Sequence, residues 1–123
     1  MTALTRTDTP VAIEGDGVEL RMRDVGGDMT VAFVRFPKGT DMSPALKGQP
    51  DDLCQCPHWG FVLRGQLTTT DAQGARETVN ANDLFYWPSG HNVKVDADAE
   101  IVMFSPQHEH SLVIDHMIAK VAG

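Results

Sequence analysis

The sequence predicts an all-β sandwich or barrel followed by one C-terminal helix. Three observations lead there. Gly and Pro punctuate the chain at short intervals, from Gly15, Gly17 and Gly26-Gly27 through Pro37, Gly39, Pro44, Gly48, Pro50, Pro57, Gly65 and Gly74 to Pro88 and Gly90. The segments between them are of strand length and several alternate apolar and polar residues. Only the end of the chain switches to the helical period.

Val18-Glu19-Leu20-Arg21-Met22-Arg23 is the clearest strand, with apolar and charged residues alternating. Met29 to Phe36 is apolar on both faces and predicts an interior strand. Lys38 to Asp52 is polar and rich in Pro and Gly, which predicts a long loop whose Asp51-Asp52 pair is solvated. Phe61-Val62-Leu63 runs through Gly65 into Gln66-Leu67-Thr68-Thr69-Thr70. Asp71-Ala72-Gln73-Gly74 has the chemistry of a turn, and Arg76 to Val79 returns as the partner strand. Leu84-Phe85-Tyr86-Trp87 is a short aromatic strand ended by Pro88. Val93 to Val95 and Glu100 to Phe104 predict two more strands. Ser105-Pro106 predicts an N-cap and first helical position, starting a helix near residues 106 to 122. At the helical period Val113, Ile114, Met117, Ile118 and Val121 share one arc. The expected organisation is one domain: an arm and first strand over 1–17, a barrel over 18–104 and the helix over 105–123.

With 123 residues the chain is long enough for a real core, and 41% apolar with 22% charged residues excludes wholesale disorder. A net charge of -7 argues against nucleic acid and anionic membrane surfaces as partners. The longest apolar runs, such as Val31-Ala32-Phe33-Val34, are far short of the ~20 residues a transmembrane helix needs. Met1 to Arg6 lacks the apolar core of a signal peptide, so a cytoplasmic location is expected. Cys54 and Cys56 stand too close for a good disulfide, and in a reducing compartment they remain thiols.

The chemistry-bearing segment is Cys54-Gln55-Cys56-Pro57-His58-Trp59-Gly60-Phe61-Val62-Leu63-Arg64-Gly65. In an extended chain residues 54, 56 and 58 share a face, and Val62 continues it as barrel lining. A second segment, Asn82 to His91, contributes another histidine beside a turn. If its strand starts early, His91 points inward together with Phe85 and Trp87, which would wall a cavity. Cys54, Cys56, His58 and His91 then make an S2N2 set. That set favours zinc, with iron or nickel as alternatives. Pro57 works against this alternation, since it interrupts the strand beside Cys56. On the helix, His110 falls on the apolar arc, while His108 and His116 fall off it. All three are expected to be bystanders. Trp59 has outward parity and suits a subunit interface.

These two segments resemble the motifs of the cupins, small β-barrel or jelly-roll domains. The glycine that ends the first motif matches Gly65, and His58 stands at its acidic ligand position. The family's two preceding histidines fall on Asp52 and Cys54. In the second motif, Pro-x-Gly-x-x-His, Pro88 and Gly90 match, Val93 takes the histidine position, and His91 lies two residues earlier. Asn82 replaces the motif's first glycine, and Asn tolerates the left-handed turn better than most residues. The resemblance spans roughly Val18 to Phe104. It implies an antiparallel β-barrel or jelly roll that commonly pairs as a homodimer. The family's usual three-His-one-Glu set is absent as written. The function expected is binding of a divalent transition metal in the barrel, with action on, or binding of, a small polar metabolite. The alternative is a non-catalytic ligand- or metal-sensing module, which a closed four-ligand site would favour.

Overall fold

The computed structural model describes residues 3–122, with side chains through residue 120. The strands are β1 (Val11–Gly15), β2 (Val18–Gly26), β3 (Met29–Phe36), β4 (His58–Asp71), β5 (Arg76–Asn80), β6 (Leu84–Trp87) and β7 (His91–Pro106). A short helix α1 (Ser43–Leu46) and a 3-10 turn (Pro50–Asp52) lie between β3 and β4, and α2 (Gln107–Ala122) follows β7.

All pairings are antiparallel, in the order β1-β2-β3-β7-β4-β5, with β6 added to β4. The sheet is an open jelly-roll or sandwich arrangement rather than a closed barrel, because β1, β5 and β6 each keep a free edge. The long strands β4 and β7 give it curvature. Their register shifts between Val62 and Leu67, where the strands bend. Gly65 sits at this bend at φ +90, and a Cβ there would clash with the Asp98 carbonyl and Ala99. Only glycine satisfies both demands.

Period two governs what goes inside. Ala32, Val34 and Phe36 of β3 enter the same core as Leu20, Val62, Leu67, Val95, Ile101 and Met103. Val31, of opposite parity, is also buried, in keeping with a strand apolar on both faces. The predicted turn at 71–74 is closed by Gly74 N–H donating to the Asp71 carbonyl and Asp71 N–H to that of Ala75. Asn82 adopts φ 74, the left-handed geometry expected of a glycine substitute.

Three expectations change. The two strands expected over 93–104 are one continuous strand, β7, that also includes His91, so Asp96-Ala97-Asp98 bends without breaking it. The long loop over 38–52 holds two helical turns, started by Pro44 and Pro50, and Asp41 bridges to Lys94. Helix α2 begins at Gln107, whose N–H donates to the Asp28 carbonyl, while the Ser105 hydroxyl is engaged elsewhere. Its buried stripe is His110, Val113, Ile114 and Met117, one face at helical spacing. Ile118 is exposed, and the Val121 side chain lies outside the described residues. Among the described residues no helix is long and apolar enough to cross a membrane.

Candidate metal and ligand site

The site is assembled by one backbone bridge. Cys54 N–H donates to the His91 carbonyl at 2.8 Å, and His91 N–H returns to the Cys54 carbonyl at 3.2 Å. This places Cys54 beside the start of β7 although β4, β5 and β6 intervene in sequence. His58, first residue of β4, completes the group. The donor atoms of Cys54, His58 and His91 all lie within 4.8 Å of one another, and the Cys54 Sγ is 3.6 Å from His58 Nε2.

Each imidazole is held by its other nitrogen. His91 Nδ1–H donates to the Pro88 carbonyl at 2.7 Å, which leaves Nε2 unprotonated in the neutral ring. His58 Nδ1 shares a 2.6 Å hydrogen bond with the Ser105 hydroxyl, which turns its Nε2 toward the Cys54 Sγ. Outer partners of this kind orient metal-binding histidines.

Cys56 is not part of the group. The chain is extended at Cys54 but bends at Cys56 before Pro57, so the expected alternation fails there. The Cys56 thiol is fully buried, donates to the Pro57 carbonyl and contacts Ser105. Both cysteines are free thiols.

His110 joins the site from α2, contrary to its reading as a bystander. It is 1% exposed, and its ring centroid lies 5.5 Å from that of His58, close to the 5.2 Å between His58 and His91. Its Nδ1 has no partner among the described residues, nor has the buried Nε1 of Trp87. A buried polar atom left unpaired costs about 1–3 kcal/mol. The sequence signal for His110 was its position on the apolar arc. His108 is exposed, and His116 bonds the Lys47 carbonyl at the surface.

These groups meet a cavity of about 80 Å³. One water needs roughly 10–15 Å³, so there is space for a small molecule. Trp87 lines the cavity, whereas Val62 and Phe85 are core residues beside it, Phe85 stacked on Trp87 at 4.0 Å. The remaining wall is aliphatic, including Val34, Ile101, Met103, Val113 and Met117, and less polar than a polar metabolite would require.

Burial dominates the electrostatics. It pushes the Cys54 thiol up to about 11 and that of Cys56 to about 12. Burial lowers His110 to about 4, holds His91 below its usual value, and together with neighbouring His91 and His110 holds His58 well below. At neutral pH the site therefore carries neutral imidazoles and thiols. Neutral imidazole is the form a metal binds, and a cation would draw the proton from Cys54.

No family model and no curated protein matches this sequence. Solved structures do match. An RmlC-like cupin from Shewanella frigidimarina is 16% identical with a TM-score of 0.63, covering 88% of this chain and 93% of that one. The polyketide cyclase RemF from Streptomyces resistomycificus is 16% identical with a TM-score of 0.62, covering 87% and 80%. Oxalate decarboxylase from Bacillus subtilis, a protein with Mn(II) centres, is 20% identical with a TM-score of 0.62. The match covers 84% of this chain but 28% of the decarboxylase. The protein has the small cupin fold.

Proposed function

We propose that the protein binds one divalent transition metal through Cys54, His58 and His91 and acts there on a small metabolite. The observation that supports this reading is the convergence of three donors from two segments distant in sequence beside a cavity. Three protein ligands leave a coordination position open, which is the catalytic pattern. A thiolate with two imidazoles favours zinc, with iron or nickel as alternatives, over the manganese that oxygen donors suit. When bound, the metal supplies a Lewis acid that polarises a ligand oxygen. The chain's own residues orient the imidazoles through Pro88 and Ser105, exclude water with the aliphatic wall, and offer His110 as a nearby proton acceptor. A non-catalytic sensing module is the second reading, favoured if a fourth side chain closes the site.

The test is elemental analysis after loading with Zn(II), Fe(II) or Ni(II). One equivalent is expected in the wild type and in His108→Ala and Cys56→Ala, with loss in His58→Ala, Cys54→Ala and His91→Ala. A wild type with no stoichiometric metal under any loading refutes the proposal.

A cytoplasmic location fits the two free thiols. For a partner we propose a second copy. The outer face carries Trp59 stacked on Tyr86, with exposed Phe104 and Leu84, the last at 80% exposure. It borders the free edge of β6, which has no charge or proline to protect it. Sedimentation at the mass of one chain at tens of micromolar (~50 μM) would refute pairing.

A further inference from the structure

The cavity at the metal site has an outer neighbour. Ile13, Val18, Met42 and Met117 line both this cavity and a second, outer one of about 530 Å³. The outer one lies between the β1–β2 hairpin, the segment after β3 and the end of α2. Its rim carries Glu14, Asp16, Lys38, Asp41 and Lys120, whereas the inner wall has no Lys, Arg, Asp or Glu among the described residues. A charged, open vestibule thus adjoins an uncharged inner chamber across a layer of aliphatic and methionine side chains. Methionine lets such a layer part into a neck, because it is unbranched and has three rotatable bonds.

The chamber's polar content is narrow. Besides Cys54, His58 and His91, only the rings of Trp87 and His110 interrupt the aliphatic, methionine and Phe36 wall, and their unpaired nitrogens are buried. A carboxylate or phosphate entering the metal-free chamber would find no cationic side chain, and an ammonium no carboxylate. Burying an unpaired charge is far more costly than burying a neutral group.

We propose that the chamber takes a small, uncharged, mainly apolar molecule, such as a short-chain alcohol or ketone. It enters past Met42 and Met117. The proposal refines the ligand of the metal site above and rests on that reading only for the metal's presence beside the guest. The preference for a neutral molecule is a property of the metal-free protein, since a bound cation would itself attract an anion.

The experiment titrates n-butanol, butyrate and butylammonium, which share one chain length, into metal-free and zinc-loaded protein. Binding is followed by the methyl resonances of Met103 and Met117 and by Trp87 indole N–H. The expected result in the metal-free protein is saturable butanol binding that moves all three signals, at least about 10-fold tighter than either ion. Met117→Trp and Met42→Phe, each verified as folded by circular dichroism, should slow butanol exchange about 10-fold by obstructing the neck. Either ion binding the metal-free protein as tightly as butanol overturns the proposal, as does butanol binding that leaves the Trp87 and Met103 signals in place. Unchanged butanol exchange rates in both folded neck variants overturn the entry route. Failure to load zinc while butanol binds as described defeats the metal reading and leaves this one standing.

Discussion

The two sides of the cavity are built differently. On the sheet side, Cys54, His58 and His91 are fixed by directional bonds: the reciprocal backbone bridge, the Pro88 carbonyl and the Ser105 hydroxyl. On the helix side, His110 arrives on α2 among Val113, Ile114 and Met117, with its Nδ1 unpaired. One side is specified by hydrogen bonds and the other by burial alone. Hydrogen bonds set atom positions within tenths of an ångström, whereas apolar packing is non-directional. The sheet side is therefore suited to hold an ion and the helix side to accept ligands of varied shape.

The largest expected effect divides the two cysteines. Cys54→Ala should reduce zinc affinity at least about 100-fold, and Cys56→Ala by less than about 10-fold, in a competition assay against a chelator. Equal losses would mean that the thiols act together and that the sheet side is larger than drawn here. Next, Ser105→Ala should weaken zinc binding about 10-fold by freeing the His58 ring, since outer partners typically matter by 10–100-fold. No change would show that packing alone orients His58.

Proton linkage sharpens the contrast further. Above pH 6.5 the histidines bind no competing proton, whereas the Cys54 thiol, raised to about 11, must release one to a metal. Zinc affinity should therefore rise about 10-fold per pH unit between pH 7 and 9. A flat profile would remove Cys54 from the ligand set.

Stability of the metal-free protein should move in the opposite sense at the two ends of the scale. His110, lowered to about 4, stays neutral in the fold while its unfolded counterpart, at 6.5, takes up a proton. The stability it contributes is present above pH 6.5 and lost as pH falls, by about 3 kcal/mol at pH 4. The raised thiols act inversely, so stability also declines as pH rises from 9 toward 11. Chemical denaturation across pH measures both limbs. The smallest effect belongs to the helix side: His110→Leu should stabilise the metal-free fold by about 1 kcal/mol and flatten the acid limb, because the unpaired nitrogen is gone. Destabilisation would mean that His110 has a partner in solution.

The fold was largely legible because its signals are local. Alternation in Val18–Arg23, the turn at Asp71–Gly74 and the aromatic strand Leu84–Trp87 each depend on neighbours in sequence. β7 was split in two because only Val93–Val95 and Glu100–Phe104 carry an apolar strand signal, and its continuity depends on the bend of β4 opposite, a long-range pairing. In the site, His58 and His91 were legible from strand parity, and the fault at Cys56 was foreshadowed by Pro57. His110 was passed over because an apolar-arc histidine reveals its burial but not what it packs against. The vestibule was beyond sequence reasoning, since it forms where β1, α2 and the α1 segment meet.

The reciprocal bridge between Cys54 and His91 bears on the order of folding. It closes a stretch of chain that contains all of β4, β5 and β6. Closing so long a loop carries an entropic penalty that is offset only once the enclosed strands have paired. Cys54 and His91 thus come within reach of one ion late in folding, after the three strands are in place. A metal held there binds the finished fold and not its precursors, so it should slow unfolding more than it speeds folding. Occupancy of the site would then record that the whole excursion from Cys54 to His91 has closed.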